Sequence, residues 1–143
     1  FSTHLPHPPF EFDVKAFKAG QLVAKAYISG KEVATHQVTT PDVAASLKLT
    51  VDTSGVAAVA GDLVFVYAEV LDKNGQLVPL NNQTIEFKTS GDIEIINPEP
   101  AFTEQGKAAV LVKLGAEFNK AKLEAHSKAL AIQSEALVFN LKE

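Results

Sequence analysis

The stretch "LDKNGQLVPLNNQTIEFKTSG", residues 71–91, sets the side-chain oxygens of Asp72, Asn74 and Asn82 around Gly75 and Pro79. Oxygen donors at alternate positions followed by Gly are how a calcium loop begins, and the same groups could meet the hydroxyls of a sugar. A calcium loop, however, needs further oxygens and a closing Glu, whereas this chain runs on through Gln76, Leu77, Val78 and Pro79. Asn-Gly between two apolar runs is instead a strong turn signal, because both residues tolerate positive φ. The reading adopted is a turn between strands. Asn82-Gln83-Thr84 also fits the glycosylation sequon, a pattern too short to carry weight.

No other group of residues has the spacing of a catalytic or metal site. His4 and His7 stand in a proline-rich lead-in, and His36 and His126 are far apart in the sequence. There is no Cys, so a zinc site would have to be built from His and carboxylates converging in space. The acidic residues are scattered over turns and outward strand positions. No nucleophile elbow and no Gly-rich phosphate loop is present. The expected sets of catalytic, cofactor-binding and metal-ligating residues are therefore empty. Phe65 and Tyr67 are different: they alternate with the apolar row Val64, Val66, Ala68, Val70 and so face away from the core it predicts. Two outward aromatics on one strand read as a contact patch for another domain, with a second buried layer or a sugar platform as alternatives.

Composition narrows the class. Of 143 residues, 46% are hydrophobic and 21% charged, which is globular composition with enough Val, Leu, Ile and Phe for a core. Net charge is −4, and all 13 basic residues are Lys, scattered and without the Arg fork that reads phosphate or guanine, so nucleic acid is not an expected partner. No apolar run approaches the ~18–20 residues of a membrane-spanning helix, and the N-terminus has no charged segment followed by an apolar one. The chain starts at Phe and contains no Met, and we expect it to be a piece of a longer polypeptide.

The elements that would position these residues are strands. "FEFDVKAF" (10–17), "QLVAKAYI" and "EVATHQVTT" predict a three-strand antiparallel meander, with Gly20 and Gly30 at its turns. "PDVAA" marks a joint. Beyond it come "SLKLTVD", "LVFVYAEVLD", "TIEFKTS", "IEIIN", "AAVLVKL", "AKLEAHS" and "ALVFNLK". About seven short strands separated by turn signals predict an all-β fold, an Ig-like β-sandwich preceded by the meander. Residues 1–41 form the lead-in and meander, and residues 42–143 the sandwich. Residues 118–137 are rich in helix formers, with Leu123, Leu130 and Leu137 at heptad spacing, and leave helix and strand both open.

"VFVYAEVLDKNGQLVPLNNQTIEFKTSG" resembles the opening half of the C-terminal bacterial Ig-like domain of family 2 glycoside hydrolases of the β-galactosidase type. The residues that carry it are Val66, Glu69, Val70, Asp72, Gly75, Val78, Pro79, Ile85, Phe87 and Gly91. Upstream, Gly20, Leu22, Ala24, Ala26, Tyr27, Gly30, Lys31, Val33, Ala34, Val38 and Thr40 resemble the end of the β domain preceding it in the same enzymes. The resemblance implies a non-catalytic accessory region, the catalytic carboxylates belonging to an upstream barrel from which nothing carries over. Its implied partners are other domains of the same chain, and a homodimer through the exposed meander is a further expectation; a periplasmic or extracellular address is implied by the resemblance alone. "INPEPAFTEQGKAAVLV" is also similar to invasin-type Ig repeats, so a repeat of a bacterial adhesin and a carbohydrate-binding module stand as alternatives.

Overall fold

The computed structural model describes residues 11–140 apart from 14, 17, 56, 98 and 99. It divides into two compact units, one reaching to Thr40 and one starting at Pro41. No helix occurs among the described residues.

The first unit holds one antiparallel hairpin, β1 (Gln21–Ile28) and β2 (Lys31–Thr39). Ser29 and Gly30 link them with φ of 49° and 78°, the two positive angles a two-residue hairpin turn requires. Thr40 closes the open end, its N–H donating to the Gly20 carbonyl at 2.8 Å. The strand expected over 10–17 is not formed at its described residues: 11–13, 15 and 16 carry no strand, and Phe12 is 83% exposed. Phe10, Val14 and Phe17 lie outside the described residues. Alternation alone does not make a strand, because the main chain needs a ladder partner, and among the described residues β1 is paired only to β2.

The second unit is a two-sheet sandwich. One sheet has the order β3 (Ala44–Asp52), β4 (Leu63–Asp72), β8 (Lys107–Leu114), β6 (Ile93–Ile95), antiparallel throughout. The other runs β10 (Ile132–Gln133), β9 (Lys122–Ser127), β5 (Thr84–Ser90), β7 (Ala101–Phe102), with β11 (Leu137–Val138) also paired to β9. A parallel bridge between Leu47 and Ser134 ties the sheets along one edge.

The core follows from period-two alternation. β4 contributes Val64, Val66, Ala68 and Val70, and β8 contributes Ala108, Val110, Val112 and Leu114, all buried. Ile85 and Phe87 of β5 and Leu123 and Ala125 of β9 face them from the other sheet, and Phe118 and Phe139 fill in beside these rows. Leu47 is buried as expected, while Leu49 and Val51 are partly buried against the same core.

The heptad of leucines is a strand–turn–strand, not a helix. Leu123 is on β9, Leu130 sits in the turn that follows, and Leu137 of β11 lies directly across the ladder from Leu123. Alternating burial of Leu123, Ala125 and Ser127 overrides the local helix preference.

One buried charge organises the β3–β4 end. Asp72, the next inward position after Val70, is 2% exposed. Its Oδ2 accepts from the Asp42 N–H at 2.9 Å, and its Oδ1 accepts from the N–H groups of Asn74 and Gln76 at 2.8 and 2.9 Å. The carboxylate thus closes the turn after β4 and fastens it to the segment that enters β3. These amides, that of Asp42 first, hold the Asp72 pKa below the ordinary carboxylate value.

Two outcomes are expected. Leu123→Ala costs about 2–5 kcal/mol in chemical denaturation, whereas Lys122→Ala beside it stays within about 0.5 kcal/mol. Because the folded Asp72 pKa is depressed, its contribution is complete above the ordinary carboxylate range, near pH 4, and is lost as pH falls through and below it. Thermal melts from pH 7 to pH 3 on the native chain and on Asp72→Asn should therefore differ most at neutral pH and converge in acid.

Candidate functional site

The oxygen cluster around Asp72 is a turn. All three hydrogen bonds to the Asp72 carboxylate come from backbone amides. Gly75 has φ of 76° and donates to the Asp72 carbonyl at 3.0 Å. Asn82, at φ 57°, donates its N–H to the carbonyl of buried Thr103 at 2.7 Å, in a separate turn. The neighbouring Asn81 accepts from the Gln105 N–H at 2.6 Å. Gly106 seals this region, since a Cβ there would stand 2.2 Å from the Val78 carbonyl oxygen. Among the described residues no group of three or more His, Asp or Glu is placed to hold a metal ion.

Other aspartates do the same work. Asp52 accepts from Ser54, Asp62 from Val59, and Asp92 from Glu117, each through a backbone N–H at 2.8–2.9 Å. His126 is on the outer face of β9, its Nε2 3.1 Å from Glu86, which Lys128 also contacts at 3.1 Å. Lys128, ahead of His126, lowers the Glu86 pKa. His36 is exposed on β2, and His4 and His7 lie outside the described residues. Two shallow depressions, of about 110 and 170 Å³, are smaller than the roughly 300 Å³ at which ligand pockets begin.

The two outer faces of the sandwich contrast. On the β5–β9 face, cross-strand neighbours are Glu86 with His126, Lys88 with Glu124 and Ser90 with Lys122. Glu86 contacts Lys128 and Lys88 faces Glu124 across the ladder, so the middle of this face is polar, while Phe102 opposite Thr84 and Val138 opposite Lys122, 58% and 41% exposed, stand at its two sides. On the β3–β4–β8–β6 face, Phe65 and Tyr67 hold the centre, with ring centroids 6.2 Å apart and planes inclined by only 22°. Phe65 is 49% exposed and Tyr67 half-buried. Phe65 lies between Asp52 of β3 and Leu111 of β8, and Tyr67 between Thr50 and Ala109.

Leu63, 55% exposed, extends the patch along β4. Ile96, 45% exposed, reaches it from the end of β6, its N–H donating to the Leu111 carbonyl at 3.0 Å. Charges surround this apolar centre: Glu69 pairs with Lys107 at 2.5 Å, and Lys113 and Asp52 are exposed. Apolar centre and polar rim are the anatomy of a protein contact. Phe65 and Tyr67 sit where alternation put them. Leu63, two residues before Phe65 on the same strand, was legible by alternation and passed over, whereas Leu111 and Ile96 were missed because only the ladder register brings β8 and β6 beside β4.

The comparisons with known proteins bear on the same residues. A β-galactosidase of Thermoanaerobacter pseudethanolicus is 31% identical over 143 aligned positions, 94% of this chain and 19% of that protein. The β-galactosidase BoGH2A of Bacteroides ovatus is 32% identical over 127, covering 80% of this chain and 15% of its own length. Among solved structures, a glycosyl hydrolase family 2 member from Bacteroides cellulosilyticus superposes with a TM-score of 0.74 at 21% identity, over 89% of this chain and 18% of that one, which supports the fold. The chain thus spans less than a fifth of each protein it is similar to. Residues 47–135 match glycoside hydrolase family 2 C-terminal domain 5. That span takes in most of the sandwich, and the chain belongs to this glycoside hydrolase family 2 C-terminal domain family.

Proposed function

We propose that this chain is a non-catalytic accessory region of a larger glycoside hydrolase of the β-galactosidase type. Residues 1–41 belong to the end of a preceding β-sandwich domain, and residues 42–143 form the C-terminal module. Its work is mechanical: the face around Phe65 and Tyr67 packs against another domain of the same polypeptide. The observation that carries this reading is the stacked, part-exposed ring pair of Phe65 and Tyr67 with Leu63 and Ile96 inside a charged rim, where the other outer face is polar at its centre and has its exposed Phe102 and Val138 only at the sides. Carboxylates committed to backbone amides at turns support the absence of acid–base chemistry here. The catalytic step of the parent is then supplied by residues outside this chain.

The nearly parallel rings of Phe65 and Tyr67 also have the shape of a sugar platform, which favours a carbohydrate-binding module as the second reading. The two part on binding: a module shows saturable galactoside binding by this chain that Tyr67→Ala abolishes, and a packing face does not.

The test is a double substitution, Phe65→Thr with Tyr67→Thr, which keeps β-propensity while removing the aromatic surface. In the 143-residue chain the melting temperature should hardly change, as for substitutions at exposed positions. In the parent polypeptide the same pair should cost about 2–4 kcal/mol, the scale of central interface residues, read as earlier unfolding or proteolytic release of this module. The native chain should not turn over a chromogenic β-galactoside. An unchanged parent, or turnover by the isolated chain, would refute the proposal.

A further inference from the structure

The β1–β2 hairpin has two unlike faces, and together they indicate which side is meant to be covered. On one face, Leu22 is paired with Val38, Ala24 with His36 and Ala26 with Ala34, and alternation along β1 adds Ile28. This face has no charged side chain before the turn at Lys31 unless His36 is protonated. Leu22, Val38 and Ile28 are 66%, 56% and 66% exposed.

The opposite face is organised round one carboxylate. Glu32 accepts from Lys25 Nζ at 2.9 Å, from the Thr35 hydroxyl at 2.5 Å and from the Tyr27 hydroxyl at 3.4 Å. These residues meet because Tyr27 pairs with Glu32 and Lys25 with Thr35, across a bulge that leaves Val33 as the extra residue. The Thr35 hydroxyl, then Lys25, lowers the Glu32 pKa, so the network keeps its charge and suits water. Val23 with Gln37 and Gln21 with Thr39 complete this side.

A two-stranded hairpin is at best marginal in water, and a third strand or a covering layer is needed to hold its apolar face. The two strands are eight and nine residues long and lack Pro, and Lys25, Lys31, Glu32 and the bulge lie away from the open end, so the edges along residues 21–24 and 36–39 carry none of the devices that protect free edges. The hairpin precedes the matched family domain, which starts at residue 47, and the chain is under a fifth of its relatives' length. The matched domain is a C-terminal one, so most of the remaining length of such proteins lies on the N-terminal side of the hairpin.

We infer that the hairpin docks by its Leu22–Ala24–Ala26–Val38 face onto the β-sandwich formed by the polypeptide upstream of this chain, with the Glu32 network turned to solvent. The inference rests on the proposed reading of residues 1–41 and adds the face and the occupant. A second copy of the chain is the rival occupant.

This chain contains no Cys, so single cysteines introduced into it report cleanly. Ala24→Cys and Ala34→Cys place a small thiol on the docking face, and Val23→Cys and Gln37→Cys on the other. Each is made in the full parent polypeptide with any other cysteines replaced, and maleimide labelling is compared with the same variant in the 143-residue chain. The expected result is labelling at positions 24 and 34 slowed more than about tenfold in the parent, with positions 23 and 37 unchanged. Protection of 23 and 37 alone, or of all four, would overturn the face assignment while leaving the hairpin part of the preceding domain. Labelling of all four at the rate of the short chain would overturn both readings. Protection of 24 and 34 that vanishes when the parent is diluted from dimer to monomer would give the face to a second copy and overturn the upstream occupant. Circular dichroism of each variant checks that the protein is folded before labelling is scored.

Discussion

Along β4, burying Val64, Val66, Ala68 and Val70 commits the residues between them to the other side of the sheet. The core and the contact face are thus set by one register. A slip of one residue would place Phe65, Tyr67 and Glu69 inside and the small valines outside, and the charge of Glu69 alone makes that slip costly. β8 is held to β4 by the same rule, which puts Leu111 and Ala109 beside the two rings. Once the interior is fixed, the composition of the outward patch follows without further choice.

Polar residues complete that arrangement by ending strands. Asp72 continues the inward row of β4 into a place where the chain must turn, and there an apolar side chain would leave three amides without partners. A carboxylate can satisfy all three because it is acceptor-only with several lone-pair directions. Asp52, Asp62 and Asp92 repeat the device at exposed turns. A cluster that looks in sequence like ligands for a cation is thereby explained by the hydrogen-bond needs of the backbone.

Much of this was legible in the sequence, and the reasons are local. The alternation in "LVFVYAEVLD" gave both the buried row and the outward aromatics, and Asn74-Gly75 gave the turn. What failed depended on pairing. "FEFDVKAF" alternates well, yet its described residues form no strand. The helix-prone region after Phe118, where alternation favoured strands against local propensity, does fold as β9, β10 and β11, and Leu137 finds Leu123 across the ladder. The full extent of the contact patch was hidden for the same reason: Leu111 and Ile96 are neighbours of the rings only through register. Composition reports what a segment prefers, whereas ladder partners decide what it does.

The two units solve the same problem of amphipathic strands in different ways. From Pro41 onward, one sheet buries its apolar rows against a second sheet, and the remaining outer faces are free to differ, one polar at its centre and one apolar there. The hairpin has strands of similar length and similar alternation but, among the described residues, only two of them, and Leu22, Val38 and Ile28 of its apolar row are each more than half exposed. Turn chemistry and a surface ion network give it a defined register, yet neither removes hydrophobic area from water, which is the dominant stabilising term. Its bulge and its Glu32 network also fix which face is wet, since moving that carboxylate into an apolar interior would strand a charge away from water. A sequence that specifies the register and the wet side of a hairpin while its apolar row stays exposed among the described residues is the kind that the proposed partner layer would complete.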